Sequence, residues 1–486
     1  APLNTLPRLQ PRRFYELVTE IALIRPGPIQ GGAVHPYVRR KTGKEEVTYA
    51  HPALKPVLVR TLGIPLFQEQ AMQMAMALGD LSPDDANLLR RSIGSKRGER
   101  RIAQLEQKLR DGMSAKNISE RDADLIYNRI KAFSDFGFAE SHSISFALIV
   151  YASAWFKLHY PGAFLAALLA AQPMGFYSPK SLVADARRHG VEVLRPDILR
   201  SGVDAELEPS TKSKLNGSPS CLDPEQPPVP QRFDPNLPFS TNDHRRDGAF
   251  AVRLGLESVR GIGRDLAIRI VEERDRVGGD GAFKSMSDLV RRVGLNTAQL
   301  EALASADAFA AFGLDSRQAI WLAGSAAEDR AEYLPNSTVS VLPPLFDLPT
   351  ELERLETDLQ ATGVSVDSDP IGPYRESLKA VGVLSAEDLR SEESGKRVTV
   401  CGVVTHRQRP QTAGGITFLT LEDETGLSNV ICSQGVWKRY RRIARDSRVL
   451  FVRGLLERTP EGICNIQADL FEAAIIQVPT RSRDFK

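Results

Sequence analysis

The stretch Phe133-Ser134-Asp135-Phe136-Gly137-Phe138-Ala139-Glu140-Ser141-His142-Ser143 sets a Ser-His-Ser cluster ahead of a mainly apolar run from Ile144 to Tyr160. Small polar side chains at a helix start stand beside backbone N–H groups that have no helical partner, and such a position favours an anion. Upstream, Leu88-Leu89-Arg90-Arg91-Ser92-Ile93-Gly94 puts two arginines just before a glycine, with Lys96 close behind. From Arg90 to Arg110, eight basic residues stand against the two acidic residues Glu99 and Glu106. A second basic stretch, Lys438-Arg439-Tyr440-Arg441-Arg442 with Arg445 and Arg448, lies near the C-terminus. An isolated basic run reads most simply as a solvated helix face. Two of them beside motifs of anion-binding character point to phosphate.

The formal net charge of +2 is uninformative by itself, because phosphate binding depends on where the charge sits. At 486 residues with 42% apolar content, the chain has the length and composition of several ordinary domains. Its longest apolar run, Ile144 to Leu158, is broken by Ser145, Ser153 and Lys157, too short and too polar for a bilayer span. With no signal-peptide pattern at the start, a soluble cytoplasmic protein is expected. Cys221, Cys401, Cys432 and Cys464 are too scattered for a zinc site or a disulfide framework, so reduced thiols are expected. The two Asp-x-Asp pairs, Asp122/Asp124 and Asp367/Asp369, lie in a charged helix-like run and in a Ser/Asp/Pro turn, and read as solvated surface.

The elements that must position these groups fall into three kinds, with a linker between the first and the second. From Phe14 to Asp197 amphipathic helical stretches alternate with Gly/Pro punctuation, and Ser82, Pro83 and Asp85 mark a capped helix start that carries Arg90 and Arg91 near its end. Between Asp204 and Asp247, Pro224, Pro227, Pro228, Pro230, Pro235 and Pro238 among Ser, Asn and Asp read as a linker. Next, Gly261-Ile262-Gly263 followed by Arg264, Ala267 and Ile270 resembles a helix-hairpin-helix unit, in which a glycine turn presents backbone N–H groups to a phosphate without reading the base. A degenerate second copy at Leu300 to Phe312 lacks the glycine turn and is assigned to packing. From Val398 to Ile476 the pattern turns to period two with Gly-ended strands, as in a small antiparallel barrel.

The order and spacing of Arg25-Pro26-Gly27-Pro28, the Leu88–Gly94 motif and the Phe133–Ser143 motif resemble the fingers region of bacterial C-family replicative DNA polymerases, the alpha subunit of DNA polymerase III. The later modules are similar as well, the barrel resembling an OB-fold. This resemblance implies a multidomain α+β chain: mostly helical fingers with a short palm-side lead-in over 1–200, a flexible Pro/Ser-rich linker over 201–250, a helix-hairpin-helix module over 251–320, a connecting helical segment over 321–395, an OB-fold over 396–476 and a tail over 477–486. It implies DNA-templated DNA synthesis, with Arg90, Arg91 and Lys96 on the incoming triphosphate and Ser141, His142 and Ser143 beside them. DNA contacts fall to Gly261, Gly263 and Arg264 and, at the barrel, to Arg407, Arg409, Arg439 and Arg441, with Phe418 and Trp437 as weaker stacking candidates.

Family members bind Mg²⁺ through palm aspartates upstream of the Arg-Pro-Gly-Pro segment, so this chain, beginning at Ala1, is expected to be a C-terminal part that does not extend a primer alone. Its ending at Lys486 resembles the error-prone, damage-induced relatives. Primer–template DNA, deoxynucleoside triphosphates, the sliding clamp and other mutagenesis proteins are the implied partners. Leu342-Pro343-Pro344-Leu345-Phe346 has the Leu-Phe end of a clamp-binding peptide without its glutamine, and reads as a Pro-rich connector. The alternative is a non-catalytic DNA-binding accessory protein. A ligase or nuclease fares worse, since no nucleophilic lysine motif or carboxylate cluster is visible.

Overall fold

A computed structural model describes residues 6, 8–24, 34–92, 99–135, 138–175, 177–210, 245–277, 283–333, 343–344, 346–347, 349–410, 414–459, 463–474 and 483–485. At 34–35, 89–92, 99–104, 129, 131–135 and 483–485 the backbone alone is described. The chain divides into two units, one of residues 1–154 with 460–463 and the other of 155–459 with 464–486.

The first unit is helical: α1 (Phe14–Leu23), α2 (Val34–Lys41), α3 (Gln68–Gly79), α4 (Pro83–Ser92), α5 (Glu99–Ala115), α6 (Glu120–Asp135) and most of α7 (Glu140–His159). Apolar residues one turn apart make these helices amphipathic. Ala71, Met74, Ala75 and Leu78 share one face of α3, and Met74, Ala75 and Leu78 are buried with Leu105, Leu109 and Met113 of α5 and Ala123, Ile126 and Ile130 of α6. The expected cap on α4 is present, Ser82 Oγ accepting the Asp85 N–H at 3.1 Å. At the head of α3, the buried Gln70 accepts the Leu66 N–H at 2.8 Å and donates to Thr61 Oγ1 at 2.9 Å, so its amide serves both donor and acceptor sides of a tight entry turn.

In the second unit, α8 (Pro161–Ala170) and α9 (Pro179–Arg188) lead into a three-stranded sheet of β1 (Val193–Leu194), β2 (Glu206–Pro209) and β3 (Phe250–Arg253), in the order β1-β3-β2. Here the structure corrects the linker expected over 201–250. Its two ends are paired strands, Glu206 opposite Arg253 and Pro209 opposite Phe250, and Ser201 is buried, its hydroxyl donating to Leu254 O at 2.8 Å. Residues 211–244 lie outside those described. The pairing unites segments about forty positions apart, which local composition does not register.

Four helices follow: α10 (Arg264–Val277), α11 (Met286–Val293), α12 (Thr297–Ser305) and α13 (Ser316–Ala327). They share one core, in which Leu256, Ile262, Ala267, Ile270, Leu300 and Phe309 are buried. That core also takes Ile198 and Ala361, from outside the 251–320 stretch, the latter at the end of α14 (Glu351–Ala361).

The last module is a closed barrel. Strands β4 (Arg397–Gln408), β5 (Thr417–Glu422), β6 (Leu427–Cys432), β7 (Val449–Arg458) and β8 (Cys464–Ala473) pair in the order β5-β6-β8-β7-β4, and β4 returns to β5 to complete the ring. Parallel to β4, β9 (Arg483–Phe485) adds to it from outside, and α15 (Gln434–Asp446) lies between β6 and β7 in sequence. Burial alternates along β5, where Thr417, Leu419 and Leu421 point inward. At the bulge in β7 a Cβ on Gly454 would stand 2.2 Å from Gln467 O, so closure requires glycine there. The barrel is tied to α9 by Glu422, buried at the end of β5, which accepts from Arg188 at 3.3 Å.

Candidate nucleic-acid interface

The hairpin is built by two glycines with different duties. After a short helical turn at Leu256–Ser258, Gly261 adopts φ +94°, a conformation that L side chains rarely enter. Ile262 then plugs into the core, and Gly263 O accepts the Ala267 N–H at 3.0 Å to start α10. Gly263 has an ordinary φ, is exposed, and a Cβ added to it would meet nothing within 4 Å. It therefore keeps a clear approach rather than solving a backbone problem. The first-turn N–H groups of α10 have no intrahelical acceptor and face that approach. Behind the turn, the Arg260 N–H donates to Ala361 O at 2.8 Å, which anchors the hairpin to α14. The second, degenerate copy has the packing role expected of it, with Leu300, Leu303, Ala304 and Phe309 all buried.

Arg264 opens α10 and is not free. Its guanidinium meets Asp204 twice, Nη2 to Oδ2 at 2.9 Å and Nη1 to Oδ1 at 3.0 Å, and Nη1 also donates to Glu257. The hydrogen bonds to the two carboxylates favour its charged form, and the bond from Arg264 in turn holds Asp204 below the usual carboxylate range. Neither carboxylate was singled out by sequence reasoning, and Asp204, sixty positions from its partner, offers no local signal.

On the barrel, β4, β5 and β6 align Gln408, Phe418 and Ile431 in one cross-strand row and His406, Thr420 and Asn429 two positions along, in the next row of the same face. Phe418 is 37% exposed on this face, whereas Trp437 is buried in the barrel core. Arg409 is exposed beyond the end of β4. Arg407 departs from the expectation that it contacts DNA. It is buried, and its guanidinium donates through Nε to Ala444 O at 2.8 Å and through Nη2 to Ser447 O, so it fastens the end of α15 to β4. Along α15, capped by Ser433, Trp437 and Ala444 face inward while Lys438, Arg439, Arg441, Arg442 and Arg445 are exposed. Arg445 pairs with Asp446, and Arg439 stands 5.4 Å from the ring centre of Tyr440. The helix is thus a basic ridge on an apolar base.

The nucleotide-binding candidates separate. Arg90 and Arg91 sit on the backbone of α4, but their side chains lie outside the described residues, as do Lys96 and the Arg25–Pro28 motif. Ser141 and His142 are exposed in the first turn of α7, the His142 ring lying edge-on between Phe138 at 5.2 Å and Phe146 at 4.6 Å. Ser143 departs from its expected role. It is fully buried and its hydroxyl donates to Val18 O at 2.6 Å, joining α7 to α1. The helix start itself already holds an anion, because the Glu140 N–H donates to the Glu69 carboxylate at 2.9 Å. Glu140 in turn accepts from the Tyr15 hydroxyl and stands 3.6 Å from Arg60; burial, then this bond, push the Tyr15 phenol well above its ordinary range.

Of the Asp-x-Asp pairs, Asp122 and Asp124 are exposed and bonded to Ser119 and Arg110. Asp367 pairs with Arg195 at 2.7 Å, while Asp369 departs from the solvated reading: it is partly buried, burial raises its pKa, and its carboxylate caps the Ile371 N–H at 3.0 Å. Among the described residues, no group of three or more His, Cys, Asp or Glu side chains is placed to hold a metal ion, and no helix is long and apolar enough to cross a membrane.

Residues 3–117 match the finger domain of the bacterial DNA polymerase III alpha subunit, 190–319 match a helix-hairpin-helix motif, and 398–474 match an OB-fold nucleic acid binding domain. Over its whole length the chain is 53% identical to an error-prone DNA polymerase of Cutibacterium acnes, 46% to one of Mycolicibacterium paratuberculosis and 46% to one of Mycobacterium tuberculosis. It spans 43%, 41% and 40% of those relatives. With finger, hairpin and barrel domains matched in that order, and 46–53% identity along its whole length, the chain is similar to the part of the error-prone DNA polymerases that carries these three domains.

Proposed function

We propose that this chain serves DNA-templated DNA synthesis of the error-prone, translesion type in the response to DNA damage, supplying surfaces that hold the incoming nucleotide and the primer–template. The observation that carries this reading is the open glycine hairpin at Gly261–Gly263, in a chain 53% identical over its length to an error-prone polymerase. Backbone N–H groups at the start of α10 would take a duplex phosphate whatever the sequence. Arg409, Arg439 and Arg441 would track the backbone of a single strand along the barrel, with Phe418 as a stacking surface. On α4, Arg90 and Arg91, with Lys96 beyond, would neutralise the triphosphate, and arginine offers the forked donors that suit phosphate oxygens. Ser141 and His142 would line that site, and Ser143 would position them through Val18. The two-metal chemistry of phosphoryl transfer uses Mg²⁺, and among the described residues no group of three or more His, Cys, Asp or Glu side chains is placed to hold it. Deoxynucleoside triphosphates, the sliding clamp and other mutagenesis proteins are the further partners of this reading, and the cytoplasm its compartment.

The test is fluorescence-anisotropy titration of a primer–template at several salt concentrations, for the parent chain and for Gly263→Val. Affinity should fall steeply with salt, by a log–log slope of about −0.9 per phosphate neutralised by a Lys or Arg side chain, and Gly263→Val should bind more weakly. A salt-independent affinity would remove the basic side chains from the DNA-binding surface, and a folded Gly263→Val chain that binds like its parent would remove the hairpin.

A further inference from the structure

The hairpin carries a cation at its mouth, yet that cation is already engaged. Both hydrogens of Arg264 Nη1 are used, one by Asp204 Oδ1 and one by Glu257, and Nη2 gives one of its two to Asp204 Oδ2. The end-on fork of the guanidinium, which would otherwise clasp a phosphate, is filled by a carboxylate of the same chain. Two anions around one cation leave the cluster net negative, and Asp265, next in sequence and exposed, adds a further carboxylate to the first turn of α10. Such an arrangement opposes an incoming phosphate where the helix N-terminus attracts it. The side chains of Arg264, Asp204 and Glu257 are 53%, 34% and 40% exposed. Ion pairs this accessible stabilise the fold little, so the acids are not explained as structural cement.

We propose that Asp204 and Glu257 limit the affinity of the hairpin for duplex DNA, holding Arg264 away from the phosphate and keeping the grip on the backbone weak and quickly released. This rests on the reading that the hairpin contacts duplex phosphate. A polymerase moving along its template needs contacts of this kind, sequence-independent and readily broken at each step. The opposite role for the same carboxylates, orienting Arg264 so that its Nε edge meets the phosphate, predicts the opposite sign.

The experiment is anisotropy titration of a fluorescein-labelled duplex with the full chain, comparing the parent, Asp204→Asn/Glu257→Gln, the same double variant with Arg264→Gln added, and Gly263→Val. Circular dichroism melting checks that each is folded. The double variant should bind roughly three- to tenfold more tightly at moderate salt, with a log–log slope steeper by about 0.9, as one arginine and one phosphate are newly matched. Adding Arg264→Gln should cancel most of that gain. If the double variant binds no tighter than the parent while Gly263→Val binds more weakly, the hairpin contacts DNA and the carboxylates do not restrain it, which overturns the proposal alone. If Gly263→Val binds like the parent, the hairpin reading fails and the proposal falls with it.

Discussion

Replacing Gly263 by aspartate should move stability and DNA affinity in opposite directions. Gly263 is the residue before the first turn of α10, its carbonyl accepts the Ala267 N–H, and a Cβ there meets open space. Aspartate is among the best residues for such a position, because its carboxylate bonds the free N–H groups of the first turn and its charge suits the helix dipole. Relative to glycine the cap contributes a few tenths of a kcal/mol, and the dipole adds about 0.3–1 kcal/mol at low ionic strength, so the melting temperature should hold or rise slightly. Those N–H groups are the ones a phosphate would use. Losing a charge-assisted hydrogen bond costs about 1.5–3 kcal/mol, and each 1.4 kcal/mol is tenfold, so duplex affinity should fall by about ten- to a hundredfold or more. No cation is removed, so the salt slope should stay near that of the parent, whereas charge reversal at Arg439 or Arg441 should flatten the slope for single strands. Thermal melting and anisotropy on the same protein read both quantities. A Gly263→Asp chain as stable as the parent that keeps its duplex affinity would refute the phosphate role of this turn.

Other expectations concern single residues. Burial pushes the carboxyl of Glu20 up from its ordinary 4.5 to about 7, so the folded chain holds a proton there that the unfolded chain releases earlier. Its contribution to stability is therefore best preserved below pH 4.5 and is lost as pH rises through about 7. Glu20→Gln should leave melting near pH 4 almost unchanged and stabilise the chain at pH 8 by up to about 3 kcal/mol, and equal effects at both pH values would count against it. Arg407→Met should cost about 1.5–3 kcal/mol by leaving the Ala444 and Ser447 carbonyls without their donor, while Arg441→Ala should weaken single-strand binding and spare the melting temperature; the reverse pattern in the two assays would restore Arg407 to the DNA surface. Ser143→Ala should destabilise by about 1 kcal/mol where Ser141→Ala does not, as urea denaturation would show. In a longer chain active in primer extension, Arg91→Ala should raise the nucleotide KM or lower kcat by about tenfold or more, since a phosphate-bound arginine is worth about 1.5–3 kcal/mol; unchanged kinetics would return Arg91 to an ordinary helix surface.

What the amino-acid order by itself determined is what short-range physics controls. Glycine at 261 and 263, followed by Ala267 and Ile270 one helical turn apart, specifies a tight turn and an amphipathic helix within ten residues. The cap at Ser82 and the alternation along Thr417–Leu421 are local in the same sense, and period two needs only neighbours to be read. The tertiary structure decided which polar side chains remain available. Ser143 resembles its neighbours Ser141 and His142 in sequence, but Val18, 125 positions away, takes its hydroxyl. Arg407 and Arg409 are equally basic, yet only one lies beneath the end of α15. Asp204 reaches Arg264 across sixty positions, and β2 meets β3 across a segment whose composition reads as linker. A charge or hydroxyl states what it could bond, and the partner that satisfies it is chosen by packing of segments far apart in the chain, because a buried polar group must be paired with whatever the fold places within hydrogen-bonding distance.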